Sequence, residues 1–200
     1  DLNAMANQIH KNTKIIYLAN PDNPTGSYFN KQKFDNFMQK VPERALVILD
    51  EAYYEYASSI SDYPDSMNYR YDNVITLRTF SKCYGLAGLR VGYGFAHRSL
   101  ISSLMKVKLP FEPSIPAQVA AIAALQDEDH LKITLKENSD QMYRLEKVLK
   151  KMLKILNLNG FINQFKMIKW IVNGSKGYRL IQFFLTIKLL QSTQTGQSLH

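Results

Sequence analysis

The run "ALVILD", residues 45–50, decides the fold class of this chain. It is apolar at every position up to the aspartate that ends it, which is the pattern of a strand buried on both faces of a parallel sheet. Working outward from it, further β-branched and aromatic runs predict strands at 14–19, 73–80 and 90–96.

Helical patterns alternate with these strands. The segment 30–41 places four apolar residues on one helical face behind Asn30, a plausible N-cap, and further helical runs lie at 98–107, 114–126 and 128–153. Strands that alternate with helices predict an α/β domain with a mainly parallel sheet.

The net charge of +8 is unevenly distributed. All 17 acidic residues lie in 1–150 beside 18 basic ones, whereas 151–200 holds 7 basic residues and no acid. The basicity therefore belongs to the last quarter of the chain, and we predict no nucleic-acid partner for the domain. We expect one domain over 1–150 and a basic segment of different character over 151–200.

Other composition features exclude several classes of protein. The apolar run at 180–190 is far shorter than the roughly 20 residues of a membrane span, and Lys188 interrupts it. Cys83 is the single cysteine, so no disulfide can form within the chain and a reducing cytoplasm is expected. The four histidines are scattered without metal-ligand spacing, so no metal site is predicted.

Three polar stretches follow the predicted strands. "NPDNPTG" (20–26) follows the first strand, "DEAYYEY" (50–56) begins where the second ends, and "RTFSKCYGLAGLRVGYG" (78–94) begins in the third. Ligands of parallel α/β sheets bind at the carboxyl ends of the strands. The three stretches are therefore expected to form one site.

In this order and at these spacings, the three stretches resemble the class I/II aminotransferases, which are pyridoxal-phosphate enzymes of fold type I. The third stretch, 78–94, which we call the lysine loop, and the segment "KLPFEPSIPAQVAAIAAL" (108–125) are most similar to those of the histidinol-phosphate aminotransferases. The resemblance covers roughly residues 10–150. It implies a three-layer α/β/α large domain with pyridoxal 5'-phosphate as the cofactor.

The resemblance also implies which residues carry the chemistry. Lys82 would form the Schiff base with the cofactor and, once displaced, move the proton as a general acid and base. Asp50 would hold a proton on the pyridine nitrogen, because opposite charges at short range favour both charged forms. Asn23 and Tyr53 would hydrogen-bond the ring hydroxyl, which makes Tyr53 a third catalytic candidate beside Lys82 and Asp50.

The phosphate of the cofactor needs fixed hydrogen-bond donors. By the same resemblance, Ser81 and Arg90 match the family residues that bind this phosphate. Arg90 offers a planar fork that suits phosphate oxygens, and Ser81 offers a hydroxyl. Gly85 and Gly88 are expected to let the backbone between these two residues turn tightly.

The implied reaction is amino transfer between L-histidinol phosphate and 2-oxoglutarate in histidine biosynthesis, in a homodimer. Family members are much longer than 200 residues, so we expect a partial sequence. Residues 151–200 do not resemble the family's small domain. Three alternatives remain: an aromatic amino acid aminotransferase, a decarboxylase of a phosphorylated amino acid, or an inactive fragment.

Overall fold

A computed structural model describes residues 1–155 of the protein, with side chains to residue 152. It divides into two compact units. The first comprises residues 1–23 and 27–137, and it contains the sheet; the second takes in Pro24–Gly26 and the chain from Asn138 onward. Most of the basic segment predicted at 151–200 lies outside the described residues, so its distinct character stays a prediction.

Four strands and six helices make up the described chain. The strands are β1 (Ile15–Ala19), β2 (Leu46–Asp50), β3 (Val74–Thr79) and β4 (Gly92–Ala96). The helices are α1 (Leu2–Ala6), α2 (Lys31–Met38), α3 (Tyr54–Ala57), α4 (Arg98–Met105), α5 (Ile115–Gln126) and α6 (Glu128–Ile155). Single 3-10 turns lie at Ser66–Asn68 and Ala87–Leu89. All four predicted strands and all four predicted helices are present, whereas α1 and α3 are too short for a periodic signal.

The sheet has the strand order β1-β2-β3-β4. β1, β2 and β3 are parallel, and β4 runs antiparallel to β3. The sheet is therefore mainly parallel, as predicted, with one antiparallel edge. The predicted fourth strand starts two residues late, because Arg90 adopts a left-handed conformation with φ 52°, which cannot continue an extended strand.

One face of the sheet, which we call the covered face, packs against α1 and α2. Phe34, Phe37 and Met38 of α2 are buried against Val47 and Leu49 of the sheet. The spacing of these helix residues and the side chain of Asn30, which accepts a hydrogen bond from the Lys33 amide at 3.1 Å, explain why this segment is helical.

The opposite face, which we call the open face, carries Tyr17, Asp50 and Leu77. Tyr17 is 55% exposed and Leu77 is 37% exposed, whereas Leu49 on the covered face is fully buried. Successive strand residues point to opposite faces, so Asp50 belongs to the open face and Glu51 to the covered one.

Candidate active site

The carboxyl ends of β1 and β2 bring Asn23 and Tyr53 into contact. The Asn23 side-chain amide donates a hydrogen bond to the Tyr53 hydroxyl at 3.1 Å. Tyr53 is buried, so its ring is fixed in place while Asn23 lies at the surface. Two side chains that sequence analysis assigned to one cofactor hydroxyl are thus neighbours in the fold.

Lys82 lies beside the same tyrosine. Its Nζ is 5.4 Å from the centre of the Tyr53 ring, and its side chain is exposed. The loop that presents it turns at Gly85, whose amide donates to the Lys82 carbonyl at 3.0 Å. Gly85 has φ 72°, a conformation that L side chains rarely adopt, so a glycine is favoured at this point of the loop.

Asp50 ends β2 on the open face, where it is half-buried. The Ala52 amide donates to its Oδ1 at 2.9 Å, and the Tyr17 hydroxyl donates to its Oδ2. Each oxygen of this carboxylate therefore accepts one hydrogen bond, one from a backbone donor and one from a side-chain donor.

The two predicted phosphate anchors lie at either end of the lysine loop. The Ser81 amide donates to the Thr79 hydroxyl at 3.1 Å, which ties the start of the loop to β3. Arg90 is exposed and donates one N–H to the Ala87 carbonyl at 2.8 Å. A guanidinium has five N–H donors, so this bond leaves Arg90 able to bind an anion.

The observed contacts therefore link three of the six predicted residues to one another. Asn23, Tyr53 and Lys82 form one group. Asp50, Ser81 and Arg90 form their described hydrogen bonds with Tyr17, Thr79 and Ala87 instead.

Two glycines on β4 allow close contact with β3. A Cβ at Gly94 would lie 3.0 Å from Leu77 Cδ2, and one at Gly92 would lie 2.7 Å from the Arg78 carbonyl oxygen. Glycine at both positions lets β4 lie close to the β3 backbone and to the Leu77 side chain.

Cys83 follows the lysine but does not share its exposure. The thiol is buried and hydrogen-bonded to Tyr56, and burial together with the nearby Glu55 charge raises its pKa to about 11. Burial likewise raises the pKa of Glu55 above its ordinary value. The thiol is protonated at neutral pH, so Cys83 is a packing residue here rather than a nucleophile.

Sequence reasoning missed two residues near the site. Tyr17 was not singled out, although its spacing places it on the same sheet face as the strand end at Asp50. Arg78 was treated only as the start of the lysine loop. Its Nε bonds Glu51 at 2.8 Å and its guanidinium carbon lies 3.3 Å from the centre of the Tyr54 ring.

Two other kinds of site are absent from the part of the chain that the structure describes. Residues 1–155 hold no cluster of three or more histidine, cysteine or acidic side chains that could bind a metal ion. Among the helices α1 to α6, none is both long and apolar enough to cross a membrane.

Comparison with known proteins identifies the family of the chain. The family model of aminotransferase class I and II matches residues 1–192. Histidinol-phosphate aminotransferase 2 of Carboxydothermus hydrogenoformans is 47% identical over 143 residues, which are 70% of this chain and 39% of that relative. Histidinol-phosphate aminotransferase of a Geobacillus species is 48% identical over 140 residues, covering 69% of this chain and 38% of that relative.

A solved structure shows the same relationship. Histidinol-phosphate aminotransferase from Sinorhizobium meliloti, crystallised with pyridoxal 5'-phosphate, superposes with a TM-score of 0.67 at 38% identity, over 74% of this chain and 40% of that one. The chain thus spans about two fifths of the length of the relatives it matches. Its α/β fold with a mainly parallel sheet is that of the fold type I enzymes, and the chain belongs to aminotransferase class I and II.

Proposed function

We propose that this chain belongs to a pyridoxal-phosphate-dependent transaminase that transfers an amino group between L-histidinol phosphate and 2-oxoglutarate in histidine biosynthesis. The observation that carries the proposal is the group formed by Lys82, Tyr53 and Asn23, in which an exposed amine lies beside a tyrosine that accepts a hydrogen bond from an amide. The choice of L-histidinol phosphate as the substrate is supported by the names of the similar proteins, which are histidinol-phosphate aminotransferases.

The donor set suits pyridoxal 5'-phosphate. A carboxylate, Asp50, would face the ring nitrogen, and Asn23 and Tyr53 would bind the ring hydroxyl. Ser81 and Arg90 would hold the phosphate, since a hydroxyl and a guanidinium are strong partners for phosphate oxygens. When bound, the cofactor supplies an aldehyde that condenses with amines and a ring that withdraws electrons.

Within that site, the chain's own residues hold and move protons. Lys82 Nζ would take a proton from the substrate and return it, since an amine with free rotation can reach two neighbouring atoms. Asp50 would keep a proton on the ring nitrogen through charge attraction. The Asn23 amide, by occupying the Tyr53 hydroxyl, would orient the phenol toward the ring.

We test the lysine assignment by covalent capture. The chain is mixed with pyridoxal 5'-phosphate, reduced with borohydride and digested, and mass spectrometry locates the modified lysine. We expect modification of Lys82, its loss in Lys82→Ala, and no loss in Lys106→Ala, a matched exposed lysine at the end of α4. Equal labelling of Lys82→Ala and the parent chain would refute the assignment.

A substrate panel tests the choice among transaminases. The chain loaded with pyridoxal 5'-phosphate is mixed separately with L-histidinol phosphate, phenylalanine and a phosphorylated amino acid, and the keto product or released carbon dioxide is measured. We expect product from L-histidinol phosphate. Product from phenylalanine alone would favour the aromatic alternative, and carbon dioxide release would favour the decarboxylase.

We also propose that the protein works as a homodimer in the cytoplasm. The outer side of α5 supports the dimer, because Ile115, Val119 and Ile122 recur at helical spacing and are exposed, and Phe111 beside them is 96% exposed. Contiguous exposed apolar side chains of this kind mark protein interfaces. Light scattering after gel filtration is expected to show a dimer, and Ile122→Glu is expected to give a monomer. A buried free thiol at Cys83 suits a reducing compartment.

A further inference from the structure

The strand register brings a tyrosine to the aspartate of the site. β1 and β2 are parallel with Ala19 opposite Asp50, so Tyr17 lies two residues earlier on the same face of the neighbouring strand. From there the Tyr17 hydroxyl donates to Asp50 Oδ2, while the Ala52 amide donates to Oδ1 at 2.9 Å.

Packing alone does not explain this placement. The Tyr17 side chain is 55% exposed, although its strand neighbours Ile16 and Leu18 are buried in the core of the covered face. Partial burial, the hydrogen bond to Asp50 and the charge of Asp50 raise the pKa of Tyr17 to about 12. The phenol therefore keeps its proton at neutral pH and remains a donor to the carboxylate.

We propose that Tyr17 is a positioning residue that holds the Asp50 carboxylate in the orientation in which it meets the ring nitrogen of pyridoxal 5'-phosphate. The inference rests on the proposed function, because it needs Asp50 to be the partner of that nitrogen. Tyr17 itself does not touch the reacting atoms.

The hydrogen-bond capacity of a carboxylate allows this arrangement. Its two oxygens offer about four lone-pair sites, of which Tyr17 and Ala52 occupy one on each oxygen. The remaining sites stay available for an N–H donor. A carboxylate fixed in advance loses less rotational freedom when the donor binds, so the free energy of binding becomes more favourable.

A double-mutant cycle on the 200-residue chain tests this role. The dissociation constant of pyridoxal 5'-phosphate is measured by equilibrium dialysis for the parent chain, Tyr17→Phe, Asp50→Asn and the double variant. We expect Tyr17→Phe to weaken binding about 3- to 10-fold in the parent background and less than about 2-fold in the Asp50→Asn background. Such coupling shows that Tyr17 acts through Asp50.

Tyr71→Phe is the matched control. Tyr71 also donates to a carboxylate, that of Asp35 on α2, at 2.8 Å, and it packs against the core of the covered face. Its removal is expected to leave the dissociation constant unchanged. Thermal unfolding of each variant shows that the chain remains folded when binding is measured.

The outcomes separate the two proposals. If Asp50→Asn weakens binding and Tyr17→Phe weakens it equally in both backgrounds, or not at all, the role of Tyr17 is refuted and the proposed function stands. If Asp50→Asn leaves binding unchanged, or the parent chain does not bind, the proposed role of Asp50 fails and the inference fails with it.

Discussion

Two adjacent carboxylates at the end of β2 show how differently the two faces of the sheet are used. Glu51 points to the covered face, is fully buried and lies within 2.8 Å of Arg78 and 2.7 Å of the Ser66 hydroxyl. Asp50 points to the open face, is half-buried and accepts hydrogen bonds from Tyr17 and the Ala52 amide.

The two carboxylates differ in the groups that contact them. The Glu51 carboxylate is neutralised inside the protein by a guanidinium that also lies over the Tyr54 ring, so it joins the ends of β2 and β3. The Asp50 carboxylate accepts hydrogen bonds from two neutral donors, the Tyr17 hydroxyl and the Ala52 amide. We therefore expect mutations on the covered face to change stability, and mutations on the open face to change ligand binding.

The largest loss of stability is expected from Arg78→Met. This change leaves the Glu51 carboxylate buried without its cation, and breaking a buried ion pair costs about 3–5 kcal/mol in the free energy of unfolding. Urea unfolding measures the loss. The matched control is Lys31→Met, which breaks the exposed pair with Asp35 and is expected to cost less than about 1 kcal/mol.

The loss of stability in Arg78→Met is also expected to depend on pH. Burial raises the pKa of Glu51 above its ordinary value of 4.5, while the Ser66 hydrogen bond and the Arg78 charge oppose that rise. Without Arg78 the pKa rises further, so the folded state binds the proton more tightly than the unfolded state. The stability deficit of Arg78→Met is therefore smallest at acidic pH, where Glu51 is protonated in both folded proteins. It grows as the pH rises above the pKa of Glu51 in the folded parent chain, which lies above 4.5. A deficit that is constant with pH would contradict this account.

The next largest loss of stability is expected from Leu49→Ala, which we compare with a leucine on the opposite face of the sheet. Leu49→Ala removes a fully buried side chain from the covered face and is expected to cost about 2–5 kcal/mol. Leu77→Ala, on the open face and 37% exposed, is expected to cost less than about 1 kcal/mol. Equal losses in denaturant unfolding would show that the faces are equally packed.

A smaller loss of stability is expected from substitution of Gly92, where β4 lies close to β3. Gly92→Ala places a Cβ 2.7 Å from the Arg78 carbonyl oxygen, so the strands must separate, at a cost of about 1–3 kcal/mol. Gly88→Ala is the control, because a Cβ there meets nothing within 4 Å. Thermal unfolding of both variants measures the difference, and an equal effect would argue against the close approach.

The smallest change in stability, with a clear change in binding, is expected from Asp50→Asn. Loss of the open-face charge is expected to weaken pyridoxal 5'-phosphate binding about 10- to 30-fold. The free energy of unfolding should change by less than about 1 kcal/mol. A large loss of stability with unchanged binding would place Asp50 with Glu51 as a structural residue.

Much of the fold was predictable because its signals are local. Apolar runs such as "ALVILD" mark buried strands whatever surrounds them, and Asn30 caps α2 through a contact three residues away. The direction of β4 was harder to predict, because a strand's composition does not state whether its partner is parallel. The connection from Thr79 to Gly92 holds one 3-10 turn rather than a crossover helix, and this explains the antiparallel pairing.

The candidate site was predictable to the same degree. Its motifs resemble those of the aminotransferases, so Asn23, Tyr53 and Lys82 could be named, and the fold places them together. Their roles toward a cofactor stay predictions. The partners of the two carboxylates could not be named, because Tyr17 and Arg78 reach them across strands 33 and 27 residues apart in the chain.

The sequence by itself determined the α/β class, the position of the strands and the residue types at their carboxyl ends, since these depend on short-range pattern and chemistry. Only the tertiary structure decided which carboxylate is neutralised and which stays available. That choice depends on strand register and on which face each side chain meets, and both arise when distant segments pack together.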